Sequence, residues 1–461
     1  MKTRFLLRVL CAGALFAVVS SLQAQIVEFR ATINGGQETP ANPSAASGSA
    51  VLLYNVVTNT FDLTLTINNF ANTITASHIH EGAPGVAGAV VTNFGSETVY
   101  TRNGNTITAT FRGVTHGGTK LTLLQNGAYL NFHTAAFPGG EVRGQLIAQP
   151  KRLVANMTVA QEQAAFPALN IVSNAGGAAV MVYDPGTNRI NLRISLYNWT
   201  NTLTASHYHE AAPGVSGPVV TNLGAAAAYS ITGTNVTGTF LNLPYTGDPI
   251  KLLTGGAYLN FHSNIYGTGE TRGQVVASDE ALSSRLGVLS TRGFVGTGNQ
   301  VLIAGLNIPG PEPMRLLLTA KGPTLGALGV TGALSDPRLS LYDSAGRLIA
   351  ENDNYAAPAA AATEIAAVGG SPTNAAEAAL IVVLPPGNYT AVVSGAGGAT
   401  GIALVEAIDL RSSFSLGNGL ASFEPIKIDA SESTRPSPLR SPKVAAPEFC
   451  IVPIAAVAMK R

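Results

Sequence analysis

Cysteine and charge are both scarce in this chain of 461 residues. It contains two cysteines, Cys11 and Cys450, and only 11% of its residues are charged. The 27 basic and 26 acidic side chains nearly cancel, so no positive excess is present to hold nucleic acid or an anionic membrane. The composition therefore excludes a disulfide-rich scaffold and predicts no nucleic-acid partner.

Long hydrophobic runs are missing as well, apart from a short one near the N-terminus. A basic start is followed by an apolar run over 5–19 and then by small residues up to Ala24. This order predicts a secretory signal peptide over residues 1–24. Fifteen residues interrupted by Arg8 are short for a membrane span of about 20 residues. We therefore expect no transmembrane span in the mature chain and a secreted or cell-surface location.

Cleavage after Ala24 changes the residue balance. It removes three basic residues, leaving 24 basic against 26 acidic side chains, and it removes Cys11, leaving Cys450 as the one cysteine. No intramolecular disulfide is then available, so the domains must be stabilised by burial of apolar side chains. An exported chain without disulfides is more typical of bacteria than of animals.

An internal repeat organises the first half of the chain. Residues 75–93 and 204–222 are identical at 15 of 19 positions, and residues 127–146 and 256–275 at 12 of 20, with an offset of 129 in both cases. A register kept over this distance indicates duplication of a whole domain. The spacing predicts two copies, at 26–149 and 150–278.

Both copies are predicted to be β-structure. Residues 61–67 and 190–196 alternate apolar and polar side chains, which predicts strands with one buried face and one wet face. Turns rich in Gly, Asn and Pro separate such runs, as at Asn103-Gly104. No stretch in either copy has a convincing helical period. Short strands with frequent turns predict antiparallel sandwich or barrel domains.

Six of the seven histidines form two equivalent trios. Two histidines at i and i+2 of a strand point to the same face, so their imidazoles can converge on one cation with a third histidine from a neighbouring strand. The first trio is His78, His80 and His133, and the second is His207, His209 and His262. Three nitrogen ligands with one open position suit Zn or Cu.

Further polar residues share the predicted faces of the trios. Strand alternation places an Asn, a Glu and an Arg of each repeat where they could orient the histidines by hydrogen bonds. These residues are Asn131, Glu141 and Arg143 in the first copy and Asn260, Glu270 and Arg272 in the second. The alternative interpretation is a polar network of His, Glu and Arg that only fixes strand register.

The motifs of the repeats resemble the CHRD domain, first named from chordin. The matching elements of the first copy are His78-x-His80, Pro84-Gly85, Gly88-x-Val90-Val91, Tyr129-x-Asn131-x-His133 and Gly140-Glu141-x-Arg143-Gly144-Gln145. The resemblance implies a β-sandwich of immunoglobulin-like or superoxide-dismutase-like character, and it implies no defined activity. Copper–zinc superoxide dismutase is similar only in its His-x-His, because three histidines per repeat are too few for its two-metal site.

A different β-domain is predicted over residues 283–410. Apolar runs separated by Gly and Pro turns indicate its strands, and the runs at 336–343, 346–353 and 384–389 resemble jelly-roll-like accessory domains of secreted proteins, such as pre-peptidase C-terminal domains. Asp343, Asn352 and Asp353 are either calcium ligands or hairpin-turn caps, and we favour the caps. Residues 411–461 are predicted to be a disordered tail, rich in Ser and Pro.

Two classes of function fit these observations. The first is a secreted or cell-surface, non-enzymatic binding or structural protein whose partner is an extracellular protein or surface ligand, with adhesion through residues 283–410 as a variant. The second is a metal-binding module or metal-dependent enzyme that uses the two trios. The sequence shows no Ser–His–Asp order, nucleotide-binding Gly loop or Cys-based site. A catalytic role is therefore the less favoured expectation, and no catalytic residue is predicted.

Overall fold

The computed structural model describes residues 25–278, 288–310, 312–357 and 359–410. The predicted signal peptide at 1–24 and the predicted tail at 411–461 lie outside the described residues. Within the described part of the chain, no helix is both long and apolar enough to cross a membrane.

The first repeat folds into one curled antiparallel sheet of ten strands. The order across the sheet is β5-β4-β8-β9-β1-β2-β3-β7-β6, with β10 pairing beside β1. The strands are β1 (Ile26–Asn34), β2 (Ser47–Asn55), β3 (Thr60–Asn68), β4 (Ile74–Glu81), β5 (Ala89–Gly95), β6 (Thr101–Asn103), β7 (Thr106–Thr115), β8 (Ala128–Thr134), β9 (Val142–Gln145) and β10 (Ile147–Ala148). A short helix, α1 (Lys120–Leu124), and two 3₁₀ turns, Gly35–Gln37 and Glu97–Val99, complete the domain.

The second repeat reproduces this sheet strand for strand. Its order is β15-β14-β18-β19-β11-β12-β13-β17-β16, with β20 beside β11. The strands are β11 (Lys151–Thr158), β12 (Gly176–Asp184), β13 (Arg189–Tyr197), β14 (Leu203–Glu210), β15 (Val219–Gly224), β16 (Ser230–Thr232), β17 (Asn235–Pro244), β18 (Ala257–Ser263), β19 (Thr271–Gln274) and β20 (Val276–Ala277). Its helices are α2 (Val159–Ala165), α3 (Pro249–Leu253) and the 3₁₀ turn Ala226–Ala228.

The third domain is a sandwich of two four-stranded sheets with the orders β21-β28-β23-β26 and β22-β27-β24-β25. Counted from its first strand, these are 1-8-3-6 and 2-7-4-5, the strand order of a jelly roll. The strands are β21 (Val288–Val295), β22 (Leu302–Ile308), β23 (Met314–Lys321), β24 (Pro337–Asp343), β25 (Leu348–Asn352), β26 (Ala378–Leu384), β27 (Gly387–Gly395) and β28 (Gly401–Asp409). Helices α4 (Pro323–Ala327) and α5 (Ala359–Ala367) and the 3₁₀ turn Ala396–Gly398 lie between them. The all-β class and the jelly-roll domain predicted from the sequence are confirmed.

Short helices are one difference from the sequence prediction. The two repeats were predicted without helical periodicity, yet α1, α2 and α3 form in them. Each is five to seven residues long, so it spans no more than two turns and cannot show a repeating apolar stripe. A helix this short is stabilised by packing and caps, such as the Asp248 side chain that accepts a hydrogen bond from the Ile250 amide.

The prediction that residues 190–196 have one solvent-exposed face is wrong. In β3, the equivalent strand of the first repeat, buried residues alternate with partly or fully exposed ones, whereas β13 buries both faces, including Arg193 and Ser195. The third domain covers this side of the second sheet. Ser195 Oγ accepts a hydrogen bond from the Val383 amide, and Val383 packs in one cluster with Val180. Burial by another domain removes the alternation that a solvated face would keep.

A buried ion network strengthens the same interface. Glu364 of α5 pairs with Arg193 of the second repeat and, at 2.9 Å, with Arg315 of β23. Both arginine side chains are almost fully buried. One carboxylate therefore neutralises two buried guanidinium groups contributed by two domains.

Asp343 of the third domain acts as a turn cap. Asp343 Oδ1 accepts hydrogen bonds from the backbone amides of Ala345 and Arg347, each at 2.9 Å. Asn352 Oδ1 accepts one from the Ala379 amide at 3.0 Å. The Asp343 contacts agree with the hairpin-cap interpretation, in which the side chain satisfies turn amides, whereas Ala379 belongs to strand β26 and not to a turn.

Candidate metal centre

Strand register brings the candidate residues onto one face of each sheet. His78 on β4 is paired with Asn131 on β8, which is paired with Arg143 on β9. Directly paired residues of antiparallel strands have Cβ atoms about 4.5–5.5 Å apart on the same side. The alternate residues of these strands, such as Ile79 and Leu130, are buried in the apolar core. One face of these strands thus stabilises the domain while the other gathers polar side chains.

The three histidines of each repeat converge on one point. Each offers one ligand nitrogen, and these nitrogens all lie within 4.8 Å of one another in both trios. In the first trio the ring of His78 has its centroid 5.3 Å from that of His80 and 5.1 Å from that of His133. The second trio has nearly the same spacings, 5.5 Å and 5.1 Å around His207. The geometry of the site is therefore duplicated along with the fold.

Backbone carbonyls fix the orientation of two imidazoles in the first repeat. His80 Nδ1 lies 2.9 Å from the Gly88 carbonyl oxygen, and His133 Nδ1 lies 2.9 Å from that of Pro138. A carbonyl oxygen only accepts, so each Nδ1 must carry the proton and each Nε2 keeps its lone pair. Both Nε2 atoms are buried, and neither has a hydrogen-bond partner in the structure. The tautomers are those that a metal ligand requires.

The second repeat repeats this arrangement. His209 Nδ1 lies 2.9 Å from the Gly217 oxygen, and His262 Nδ1 lies 3.0 Å from the Gly267 oxygen. His262 Nε2 lies 3.3 Å from His207 Nδ1. Two nitrogens bound to one tetrahedral zinc at about 2.0–2.1 Å are themselves roughly 3.3 Å apart. The spacing of this pair is already that of two ligands.

The pKa values favour neutral imidazoles. Burial lowers the pKa of His78, and the neighbouring His133 and His80 lower it further. In the second repeat burial, with help from His262 and His209, lowers the pKa of His207 to about 4. A histidine with such a pKa is unprotonated at neutral pH and can donate a lone pair to a cation.

The arginine and tyrosine beside each trio hold the loop that carries the orienting carbonyl. Arg143 donates to the carbonyl oxygens of Val86 and Ala83 at 2.9 and 2.8 Å, and the Gly88 amide donates to Tyr129 Oη at 3.0 Å. Gly88 is also the residue whose carbonyl orients His80. Arg272 and Tyr258 make the equivalent bonds in the second repeat.

The two glutamates expected beside the trios tie chain segments together. Glu141 accepts hydrogen bonds from Ser44 Oγ, Asn72 Nδ2 and Thr134 Oγ1 at 2.8–2.9 Å. Glu270 accepts them from Ser173 and Asn201. Among the described residues, the histidines are oriented by hydrogen bonds to backbone carbonyls and not by these carboxylates.

His116, the seventh histidine, occupies the position of Tyr245 in the second repeat. Both residues are buried, and each faces the same glutamate of its copy: Tyr245 Oη donates to Glu210 at 3.2 Å, and Glu81 acts electrostatically on His116. Burial lowers the pKa of His116. Its place in the core separates it from the trio of its own domain.

Sequence reasoning missed one pair of buried acids, Glu38 and Glu162. Glu38 is 9% exposed and Glu162 is 0% exposed, and they lie against Gly140 and Gly269, respectively. They occur after the first strand of each repeat in the dipeptide Gln-Glu, but at an offset of 124 instead of 129. The repeated dipeptide was the available signal, and the five-residue difference in spacing hid it.

A comparison with protein-family models matches the CHRD domain twice, at residues 29–146 and 153–275. These two matches cover more than half of the chain, so the chain belongs to the CHRD domain family. The resemblance inferred from the motifs, including its two copies, is confirmed. No protein of curated function matches the chain.

Proposed function

We propose that this protein is an exported, non-enzymatic metal-binding protein in which each CHRD domain holds one divalent transition-metal cation, Zn²⁺ or Cu²⁺. The observation that carries the proposal is the set of three converging imidazole nitrogens in each repeat, which lie within 4.8 Å of one another. Imidazole is a preferred ligand of both metals.

The alternative of a self-contained polar network accounts less well for the same atoms. In such a network the buried nitrogens would be paired with one another or with the nearby acids and arginines. His262 Nε2 is paired in this way with His207 Nδ1, but His80 Nε2, His133 Nε2 and His209 Nε2 are buried without a partner among the described residues. An unpaired buried polar atom costs about 1–3 kcal/mol, and this cost recurs in both repeats. A bound cation would remove it in each.

Binding is favoured over catalysis by the surroundings of the trio. Ser77, the hydroxyl nearest in sequence to His78, is buried and already donates to the Gly95 carbonyl oxygen at 2.8 Å while accepting from Tyr100 Oη. It is therefore not available as a nucleophile. The second repeat engages Ser206 in the same way with Gly224 and Tyr229.

Export rests on the N-terminal segment. Its order of basic, apolar and small residues supports a cleaved signal ending at Ala24. Mass spectrometry of the protein recovered from outside the cytoplasm should give an N-terminus at Gln25. A chain that is retained in the cytoplasm with Met1 intact would contradict the proposal of export without affecting that of metal binding.

The decisive experiment measures metal stoichiometry. The mature chain, expressed without a histidine tag and stripped of metal, is titrated with Zn²⁺ and with Cu²⁺. We expect two ions per chain, one ion for His80→Ala or His209→Ala, and none for the double variant. His116→Tyr is the matched control, because it installs the residue of the second repeat and should leave two sites. A wild-type chain that takes up neither metal would overturn the proposal.

A further inference from the structure

A buried glutamate accompanies each trio through the same local structure in both repeats. The preceding glutamine fixes its segment, since Gln37 Oε1 accepts from the Gln145 amide at 3.2 Å and Gln161 Oε1 accepts from the Gln274 amide at 3.0 Å. The segment is thus anchored to the strand that carries the arginine, although its spacing from the trio differs between the copies. The repeat of this arrangement shows that it is a feature of the domain.

The carboxyl groups of these glutamates are buried and have few hydrogen-bond partners. Glu38 Oε1 and both oxygens of Glu162 are buried, and Glu38 Oε1 has no hydrogen bond in the described structure. The oxygens they approach, Asn131 Oδ1 and Asn260 Oδ1, are also buried and unpartnered. In the first repeat these oxygens only accept unless one is protonated, so the donor must be a carboxyl proton or a bound hydrogen-donating ligand. In the second repeat the Asn260 side chain also makes a hydrogen bond to Glu162.

A glycine makes room for each carboxyl group. A Cβ on Gly140 would lie 2.5 Å from Asn131 Oδ1 and 2.6 Å from Glu38 Oε1, and one on Gly269 would meet Asn260 and Glu162 at 2.5 Å. Both glycines also have positive φ angles, +132° and +137°. Any larger residue would push the carboxyl group away from the amide.

The carboxyl group is connected to the trio through an asparagine and lies outside the group of ligand atoms. Asn131, which it faces, is the strand neighbour of His78. The positive charge of Arg143 lowers the pKa of both Glu38 and His80. The group of ligand atoms within 4.8 Å of one another contains only imidazoles. Glu38 is therefore not one of the clustered ligand atoms, and a carboxyl group on this side of the sheet could act on the cation only through a non-protein ligand.

The charge state of the acid fits this position. Burial raises the pKa of Glu38 to about 7, while the Arg143 guanidinium opposes the rise. Burial also raises the pKa of Glu162, opposed by Asn260 and Arg272. A divalent cation placed on the trio would favour the ionised form of a nearby carboxyl group.

We propose that Glu38 and Glu162 are the outer carboxyl groups of the two metal centres: each loses its proton to solvent when the trio binds a cation, and then accepts a hydrogen bond from the water bound to that cation. This inference rests on the proposed metal binding. It defines each filled site as three imidazoles, one exchangeable water and one carboxylate that offsets the charge of the ion.

The test counts the protons released when zinc binds. Metal-free full-length mature chain is titrated with Zn²⁺ calorimetrically near pH 6 in buffers of different ionisation enthalpy, which gives the number of protons released per ion. Wild type should release about one proton more per ion than the double variant Glu38→Gln/Glu162→Gln, with two ions bound in both. Glu28→Gln, an exposed glutamate paired with Arg30, should match wild type.

Infrared difference spectra provide a second readout that uses wild type alone. The band of a protonated carboxyl group should disappear when zinc is added, and it should be missing from the double variant throughout. Equal proton release by wild type and the double variant, or a carboxyl band that persists in zinc-loaded wild type, would overturn the inference. If zinc binds to neither protein, it is the proposed metal binding that fails.

Discussion

The guanidinium carbon of Arg143 lies 3.4 Å from the ring centroid of Tyr129, and Arg272 lies at the same distance from Tyr258. Each tyrosine ring is also stacked on a histidine of its trio, with the centroids of Tyr129 and His80 5.0 Å apart and the planes at 11°. The aromatic ring thus separates a permanent positive charge from the site proposed for a cation. It also holds His80 in the orientation that its carbonyl partner requires.

Removing the tyrosine hydroxyl should weaken the first metal centre without abolishing it. Tyr129→Phe keeps the stack but takes away the acceptor of the Gly88 amide, and Gly88 carries the carbonyl that orients His80. Residues that orient metal ligands typically contribute 10–100-fold to affinity, so we expect a loss at the lower end of that range, about 10-fold. Competition with a zinc chelator measures it. The second site of the same chain should be unchanged, and equal weakening of both sites would contradict the assignment.

Substitution of Gly140 should destabilise the first domain. Gly140→Ala adds a methyl group against Glu38 and Asn131 at a positive φ angle, and strain of this kind costs on the order of 1–3 kcal/mol. Gly139→Ala is the neighbouring control, because a Cβ there meets nothing within 4 Å. Chemical denaturation should show a lower midpoint for Gly140→Ala only. Equal stability of the two variants would show that the close approach is easily relieved.

The carboxylate between the second and third domains should be essential for stability. Glu364→Ala leaves Arg193 and Arg315 buried without their shared anion, and breaking a buried pair costs about 3–5 kcal/mol. Glu351→Ala removes a partly exposed partner of Arg338 and should cost under about 1 kcal/mol. Differential scanning calorimetry compares the two variants. A change for Glu364→Ala as small as that for Glu351→Ala would mean that the network contributes little.

In the metal-free protein, the contributions of Glu38 and of the histidines to stability should change with pH in opposite directions. The pKa of Glu38 is about 7 in the folded chain against an ordinary 4.5, so its contribution is present below pH 4.5 and is lost as the pH rises through 7. The pKa of His207 is lowered from 6.5 to about 4, so stability there is lost as the pH falls from 6.5 towards 4. The melting temperature of Glu38→Gln, relative to that of wild type, should therefore increase as the pH is raised from 4.5 to 8. A constant difference across that range would contradict the raised pKa.

Much of the fold and the trio could be predicted from the sequence because both depend on short periods. A His-x-His on a strand fixes two side chains to one face, and the common offset of 129 identifies the third histidine in both copies. The strand order of the third domain could not be derived in this way, because pairing between distant strands leaves no local pattern. A family resemblance supplied the jelly-roll prediction.

The rest of the site depends on contacts between distant residues, which leave no pattern in the local sequence. Glu38 and Glu162 escaped notice because the register changes by five residues between the first strand and the trio. The burial of Arg193 depends on a carboxylate in another domain, and alternation in β13 predicted solvent there. The carbonyls of Gly88 and Gly217, which orient His80 and His209, belong to loops held by Arg143 and Arg272. Such contacts follow from tertiary structure and not from local sequence.

X-ray absorption at the zinc edge of the fully loaded mature chain tests the central claim most directly. Three imidazole nitrogens and one oxygen ligand should surround each zinc at about 2.0–2.1 Å, and the height of the zinc edge per chain should be halved in His209→Ala. A spectrum dominated by oxygen ligands, or a zinc edge whose height per chain is unaffected by that substitution, would show that the histidine trios do not hold the metal.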